Sequence, residues 1–204
     1  MLLKDKLKPY RLLLASQSPR RRELMTGCGL PYELAPKYEC EEVYPAGMPG
    51  EEVPLYLSRL KSEAYPAALA PNEILLTADT VVISDGEVLG KPHDAADARR
   101  MMRLLSGRTH RVHTGVCLAV PGRPDDVFAC TSSVRFAALS EEEIEAYIAT
   151  PEPYDKAGGY AVQGGAAKFV QGIEGCYHNI MGLPVSRVYA ALKAAGIVKI
   201  TQNQ

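Results

Sequence analysis

The chain has 204 residues, a hydrophobic content of 47% and a formal net charge of −1. This length allows a substantial core, and the near-zero charge disfavours nucleic acid as the main partner. The five cysteines form no C-x-x-C pair, which is typical of reduced thiols in a cytoplasm. Without an apolar leader or an apolar run that could cross a bilayer, we expect a cytoplasmic chain with no membrane partner.

The predicted elements begin with a strand that leads into a helix. Residues 11–16 are an apolar run typical of a buried strand. Residues 18–29 favour a helix with Ser18 as N-cap and Pro19 in the first turn. The next predicted elements are a strand over 31–36, an acidic loop over 37–54, a helix over 55–65, and a long strand with a tight turn and a return strand over 73–92.

The second half of the chain predicts a long hairpin between helices. The predicted elements are a helix over 93–107, a hairpin with strands 109–120 and 126–139, a helix over 140–150, a glycine-rich segment over 151–169, strand-like pieces over 170–182, and a final helix over 183–196. In this last helix, Val185, Val188, Tyr189 and Leu192 form the apolar stripe, and Gly196 marks the end. The pattern predicts an α/β protein with a mixed sheet.

Three consecutive arginines stand where the helix over 18–29 begins. The partial positive charge of a helix N-terminus disfavours cations there. A bound anion would reverse this cost, and arginine donates to phosphate oxygens in pairs. We therefore predict a phosphate site at Arg20 and Arg21, with a solvated basic helix start as the alternative. Arg22 is expected to face water.

Asp79 interrupts the apolar strand ILLTADTVVIS. A buried carboxylate needs a cation, a metal ion or exposure at the end of a sheet. Asp79 is therefore predicted to be a metal ligand or a general base, and the alternative is an edge-strand aspartate in water.

Other polar stretches could face a ligand. They are Glu39, Glu41 and Glu42 in the acidic loop, Lys91 in EVLGKP, and Asp155, Lys156 and Gln163 in the glycine-rich segment. Each also has a plain interpretation, as a solvated loop, a surface lysine or a flexible connector. Neither G-x-S-x-G nor a strand followed by G-x-G-x-x-G is present, and His110 and His113 would face opposite sides of a strand. These residues together favour a metal-assisted enzyme that acts on a phosphate-bearing small molecule.

Several stretches together resemble the Maf family of nucleoside triphosphate pyrophosphatases. They are LASQSPRRREL, TADTVV, LGKP, LSGRTHRVHTGV and EPYDKAGGYAVQG…IEGCYHNIMGLP. The resemblance implies an ITPase-like α/β fold, with an elongated mixed sheet flanked by helices and two lobes around a cleft, as one domain over 1–204. It also implies hydrolysis of a nucleoside triphosphate to the monophosphate and pyrophosphate, and it admits a homodimer.

The same resemblance assigns roles to individual residues. Asp79 corresponds to the proton acceptor, and Glu42 with Asp79 to the ligands of Mg²⁺ or Mn²⁺, with Asp155 as a further candidate. Residues that correspond to the substrate-binding positions are Ser16, Ser18, Arg20, Arg21, Lys61, Lys91, Asp155 and Lys156.

Three positions distinguish branches of this family. Arg20, Thr80 and Gln163 resemble the branch that acts on dTTP and UTP, and modified pyrimidine nucleotides are further candidate substrates. Two alternatives stay open: a pyrophosphatase for non-standard purine nucleotides such as ITP, and a non-catalytic nucleotide-binding regulator of cell division.

Overall fold

The structure is a computed structural model that describes residues 3–195, apart from the side chains of Lys4 and Lys6. Gly196, the expected end of the last helix, lies outside these residues. The helices are α1 (Leu3–Lys6), α2 (Pro19–Gly27), α3 (Val53–Glu63), α4 (Ala95–Leu105), α5 (Glu141–Ile148), α6 (Tyr177–Ile180) and α7 (Val185–Ala194). The strands are β1 (Arg11–Leu14), β2 (Glu33–Leu34), β3 (Glu73–Ser84), β4 (Glu87–Leu89), β5 (Thr109–Ala119), β6 (Asp126–Phe136) and β7 (Val170–Glu174).

The strands form one mixed sheet within residues 3–195, which confirms the predicted α/β class. Its order is β2-β1-β3-β5-β6-β7, and β4 also pairs with β3. The β1 strand runs parallel to β2 and β3, whereas the pairs along the β3–β5–β6–β7 path are antiparallel. The assignment of residues 1–204 to a single domain stays a prediction.

One edge of β3 is interrupted, and this positions the cavity described below. On the edge of β3 that faces away from β5, β1 pairs with β3 as far as Leu76. On the same edge, β4 pairs with β3 from Val82 onward. Between these contacts, no strand among the described residues covers residues 77–81 on that edge, whereas β5 pairs with all of them on the other. The middle of a central strand is thereby left open to a cleft.

The hydrophobic core has two large clusters that correspond to the two expected lobes. One cluster joins β1 and the start of β3 to α2 and α7, and it contains Leu14, Met25 and Leu192. The other joins the end of β3 to α4 and α5, and it contains Met102 and Phe136. The gap at residues 77–81 lies where β3 passes from the first cluster, of which Ala78 is the last β3 member, to the second, which contains Val82.

Three local expectations need correction. Tyr189 is 41% exposed, so only Val185, Val188 and Leu192 form the buried stripe of α7. Ser18 has the extended backbone of an N-cap, but its hydroxyl makes no capping hydrogen bond in the described structure. The strand expected over 31–36 shrinks to Glu33–Leu34, because only these residues pair with β1. The glycine-rich segment forms three short 3₁₀ turns between Glu152 and Phe169.

No helix in the described part of the chain combines the length and the apolar character that spanning a bilayer requires.

Candidate active site

A cavity of about 940 Å³ opens at the gap in the β3 edge. The structure brings together around it every site residue that the sequence predicted: Ser16, Ser18, Arg20, Arg21, Glu42, Lys61, Asp79, Thr80, Lys91, Asp155, Lys156 and Gln163. These residues are spread along the sequence from Ser16 to Gln163. The cavity is large enough for a nucleotide, since small-molecule sites commonly span about 300–1,000 Å³.

The loop from β1 into α2 forms one wall of the cavity. The Ser16 hydroxyl accepts a hydrogen bond from the Ser18 backbone N–H at 3.2 Å, which shapes the turn into the helix. The first turn of α2 contains no acidic residue, and the Ser18 side chain does not cap it. Its free N–H groups and partial positive charge therefore suit an anion.

Arg21 extends from this wall to the floor of the cavity, where it is held in a fixed orientation. Its Nε donates to the Gly182 carbonyl oxygen at 2.7 Å, its Nη2 to the Thr80 hydroxyl at 3.0 Å, and its Nη1 to the Ser16 hydroxyl at 3.4 Å. Burial lowers the pKa of Arg21, although the Asp79 charge opposes this shift. Arg20 instead reaches across the cleft and pairs with Asp155 at 3.4 Å.

Arg22 departs from the expectation that it faces water. Its side chain is half-buried, and Nη2 donates to the Ser16 carbonyl oxygen at 3.4 Å. It is absent from the residues that line the cavity. Arg22 therefore contacts the β1–α2 loop from behind, because a helix turns about 100° per residue and moves the third arginine off the face used by Arg21.

Asp79 lies on the floor of the cavity, in the middle of β3. It is 8% exposed and β3 is a central strand, so the alternative of a solvated edge-strand aspartate is wrong. Its Oδ1 accepts a hydrogen bond from Lys61 Nζ at 2.7 Å, and the same ammonium lies 2.8 Å from Glu42 Oε2. The carboxylate is thus balanced by a cation, as a buried charge requires.

Lys61 reaches Asp79 because α3 packs closely against the sheet. Gly115 pairs with Asp79 across β5 and β3, and a Cβ on Gly115 would lie 2.1 Å from the Pro54 carbonyl oxygen of α3. The Tyr38 hydroxyl also donates to the Lys61 carbonyl oxygen at 2.6 Å and so attaches the acidic loop to this helix. Glycine at position 115 is therefore a steric requirement of the site.

Glu42 and Asp79 are the two carboxylates that could share a metal ion in this cavity. Among residues 3–195, no group of three or more His, Cys, Asp and Glu side chains is arranged to hold a metal ion. Glu42 and Asp79 nevertheless converge on one ammonium group, so both can face one cation. Mg²⁺ is commonly bound by one or two carboxylates together with substrate phosphates and water.

The 3₁₀ turns after α5 form the opposite wall. Asp155 contacts both Arg20 and Lys156. Burial raises the pKa of Asp155, but the hydrogen bond and charge of Lys156, with the charge of Arg20, outweigh it and lower the pKa overall. Lys91 and Gln163 are exposed at the mouth of the cavity.

Glu152 supports this wall, and sequence reasoning did not anticipate it. Its carboxylate accepts hydrogen bonds from the Tyr147 hydroxyl at 2.7 Å and from the Gly165 N–H at 2.9 Å. A Cβ on Gly164 would lie 2.3 Å from Glu152 Oε2, so a larger residue there would displace this carboxylate from its contacts. The available signal was the GG pair at 164–165, which indicates close backbone packing but not its partner.

Comparison with known proteins decides the family. The family model described as "Maf-like protein" matches residues 11–195. The chain belongs to the Maf family. Among Maf-family relatives, a dTTP/UTP pyrophosphatase of Porphyromonas gingivalis is 48% identical over 195 residues, which cover 94% of this chain and 98% of the relative. A dTTP/UTP pyrophosphatase of Phocaeicola vulgatus is 47% identical over 190 residues, which cover 93% and 98%.

Solved structures confirm the fold expected of a Maf chain. The Staphylococcus aureus Ham1 protein superposes with a TM-score of 0.55 at 15% identity, over 91% of this chain and 99% of that one. A HAM1 protein from Coxiella burnetii gives a TM-score of 0.50 at 14% identity, with the same coverage of both chains. At such low identity the likeness concerns the architecture alone.

Proposed function

We propose that this protein is a nucleoside triphosphate pyrophosphatase that hydrolyses dTTP and UTP to the monophosphate and pyrophosphate. The observation that carries the proposal is that one cavity holds both an anion site, at the start of α2 with Arg21, and a buried carboxylate, Asp79, paired with Lys61. Relatives that share nearly half of the residues over almost the full chain are named for this activity. Modified pyrimidine nucleotides are further candidate substrates.

We assign the role of general base to Asp79. Lys61 donates to Oδ1, which orients the carboxylate, and Oδ2 is the oxygen that would accept the proton of the attacking water. The water attacks the α-phosphorus, and the bond to the bridging oxygen of pyrophosphate breaks. Arg20, Arg21, Lys61 and Lys91 would stabilise the charge that develops on this leaving group. Lys156 and the Ser16–Ser18 loop complete the phosphate contacts.

Glu42 and Asp79, with Asp155 as a further candidate, are the side chains we expect to hold Mg²⁺ or Mn²⁺ beside the triphosphate. Such an ion, when bound, polarises phosphoryl oxygens and neutralises their charge. Because Lys61 already contacts both Glu42 and Asp79, this chain's own contribution is to hold the carboxylates 2.8 and 2.7 Å from a common positive group.

We assign recognition of the nucleobase to the mouth of the cavity. Gln163 carries a carboxamide that can both donate to and accept from a pyrimidine edge. Arg20 and Thr80 are the other two positions that distinguish branches of the family. The Thr80 hydroxyl, however, contacts Arg21 in the phosphate site. We therefore expect Thr80 to influence the position of phosphate and Gln163 to contact the base.

The decisive experiment is a nucleotide panel with Mg²⁺, in which pyrophosphate release is measured for dTTP, UTP, ITP and GTP. We expect dTTP and UTP to be preferred, and Asp79→Asn to lower kcat by about 10³-fold or more, as loss of a catalytic base does. Asp126→Asn, on an exposed strand end outside the cavity, is the matched control and should retain wild-type turnover.

Each alternative predicts a different result in this panel. A preference for ITP would support the purine-type pyrophosphatase and overturn the pyrimidine assignment. Nucleotide binding without pyrophosphate release would support the non-catalytic regulator. Substantial dTTP hydrolysis by Asp79→Asn would show that another group accepts the proton.

A further inference from the structure

We propose that Thr114 is a positioning residue that fixes the orientation of Arg21, a role that rests on the proposed function of the cavity. Thr114 is fully buried on β5 and is absent from the residues that line the cavity. Its hydroxyl lies 2.9 Å from the hydroxyl of Thr80, which in turn receives the Nη2 hydrogen bond of Arg21. Two threonine hydroxyls thus connect the interior of the sheet to the phosphate site.

The groups at the two ends of this series of hydrogen bonds, the Arg21 guanidinium and the Asn179 carbonyl, determine the direction of each bond. The Asn179 carbonyl oxygen can only accept, so the Thr114 hydroxyl donates to it at 3.1 Å. The Thr114 oxygen is then the acceptor for the Thr80 hydroxyl. At the other end, the Arg21 guanidinium can only donate, so the Thr80 oxygen accepts from it. The order is Arg21 to Thr80 to Thr114 to Asn179.

This order explains why a hydroxyl is needed at both threonine positions. Thr80 must accept and donate at once, and without Thr114 the nearest other acceptor for its proton is the Gly182 carbonyl oxygen at 3.5 Å. That distance is at the limit for a hydrogen bond. Loss of the Thr114 hydroxyl would therefore leave the Thr80 hydroxyl free to rotate and would weaken its hydrogen bond with Arg21.

Thr114 also supports the second contact of Arg21. The bond to the Asn179 carbonyl anchors the α6 turn, and three residues later Gly182 supplies the carbonyl that accepts from Arg21 Nε at 2.7 Å. Asn179 itself is buried, and its Nδ2 donates to the Val112 carbonyl oxygen at 3.0 Å. Two contacts on different nitrogens fix the plane of the guanidinium, and Thr114 contributes to both, through Thr80 to one and through the Asn179 carbonyl to the other.

The test compares Thr114→Val, which removes the hydroxyl at nearly constant volume, with Thr114→Ser, which keeps it. Thr114→Ala is a second deletion of the hydroxyl in case the valine variant does not fold. The matched control is Thr77→Val, because Thr77 is equally buried on β3 but donates to the Ser58 carbonyl oxygen at 2.6 Å, away from Arg21. All variants are made with wild-type Arg21 and with Arg21→Ala, and kcat, KM and Tm are measured with dTTP and Mg²⁺.

We expect Thr114→Val to lower kcat/KM about tenfold with Arg21 present and less than about twofold in the Arg21→Ala background, as coupled neighbours do. Thr114→Ser should restore most of the loss. Thr77→Val should lower Tm without this coupling. An equal loss with and without Arg21, or an equal loss in Thr77→Val, would assign Thr114 a general structural role and overturn the proposal.

A second readout separates this proposal from the proposed function. The NMR signals of the Arg21 side-chain N–H groups, assigned by their disappearance in Arg21→Lys, report its orientation without any turnover. We expect slow exchange in the wild type and Thr114→Ser, and broadened or shifted signals in Thr114→Val. Unchanged Arg21 signals in Thr114→Val would overturn the positioning role even if dTTP is hydrolysed. Changed signals in a protein that does not hydrolyse dTTP would leave the positioning role supported and the proposed function wrong.

Discussion

The floor of the cavity, defined as Arg21, Lys61, Asp79 and Thr80, differs from its rim, defined as Arg20, Lys91, Asp155 and Gln163. Each floor side chain is held by the fold: Lys61 contacts two carboxylates, and Arg21 contacts three oxygens from separate segments. At the rim, Asp155 has a side chain that is 62% exposed, and it pairs with Arg20 at 3.4 Å. The floor is therefore organised before a substrate arrives, whereas the rim can exchange its contacts.

This difference matches the two tasks of a triphosphate-cleaving site. Stabilisation of developing charge is most effective when the donors are already oriented, because no reorganisation is then needed during the reaction. Initial binding of the nucleotide, by Arg20 and Lys91 at the phosphates and Gln163 at the base, instead benefits from contacts that can adjust. The Arg20–Asp155 contact is long, at 3.4 Å, and its Asp155 side is open to solvent, so we expect phosphate to displace it at low cost.

The largest difference between floor and rim is expected when one lysine is removed from each. Lys61→Met leaves Asp79 and Glu42 without their shared cation, and we expect kcat/KM for dTTP to fall by about 10²–10³-fold. Lys91→Met removes an exposed point charge, and about tenfold or less is expected. Pyrophosphate release with Mg²⁺ measures both. Losses of similar size would show that fixed and mobile cations matter equally here.

The sequence predicted which residues line the cavity better than it predicted their division into floor and rim. Asp79 was recognisable because a carboxylate in an apolar strand needs a partner, and Arg20 and Arg21 because cations oppose the helix dipole. Arg21 is held more firmly than Arg20 because it contacts Gly182 and Thr80, which are distant from it in the chain. Such contacts depend on tertiary packing that local patterns do not encode.

The position of the cavity also could not be predicted from the sequence. The elements of β3, its turn and β4 were predicted correctly, but the gap at residues 77–81 results from where β1 stops and β4 starts to pair. Register of this kind depends on long-range pairing rather than on periodicity. A helix gives a second example. Helical spacing predicted that Tyr189 lies on the apolar face of α7, but the packing around α7 leaves it exposed.

Beside the cavity, His110 packs edge-on against the rings of Phe136 and Tyr160 rather than in an ion pair. His110 is buried, its Nε2 lies 2.8 Å from the Tyr160 hydroxyl, and Tyr160 lines the cavity. Burial lowers the pKa of His110 from 6.5 to about 4. The unfolded chain then binds more protons between these values, so stability falls as the pH drops through this window, by about 3 kcal/mol at pH 4 from this group alone.

Denaturant unfolding from pH 7.5 to 4 measures this effect, with His110→Gln as the comparison. The glutamine variant can still pair with the Tyr160 hydroxyl but does not titrate. We expect it to be less stable near neutral pH and to lose stability less steeply on acidification, by about 1.4 kcal/mol per pH unit within the window. Parallel curves for the two proteins would mean that His110 is not held neutral by the fold.

The smallest effect is expected from Arg22, which marks the outer limit of the floor. Its guanidinium contacts the Ser16 carbonyl oxygen from outside the cavity, at 3.4 Å, so Arg22→Ala should change kcat/KM for dTTP by less than about threefold, as for a weak polar contact. Arg21→Ala removes a residue with three floor contacts and should cost at least about 10²-fold. Steady-state kinetics on both variants, with Tm to check folding, measure the ratio. Comparable losses would show that the loop behind the cavity is as much a part of the phosphate site as its lining, and that the boundary of the floor belongs one residue further along α2.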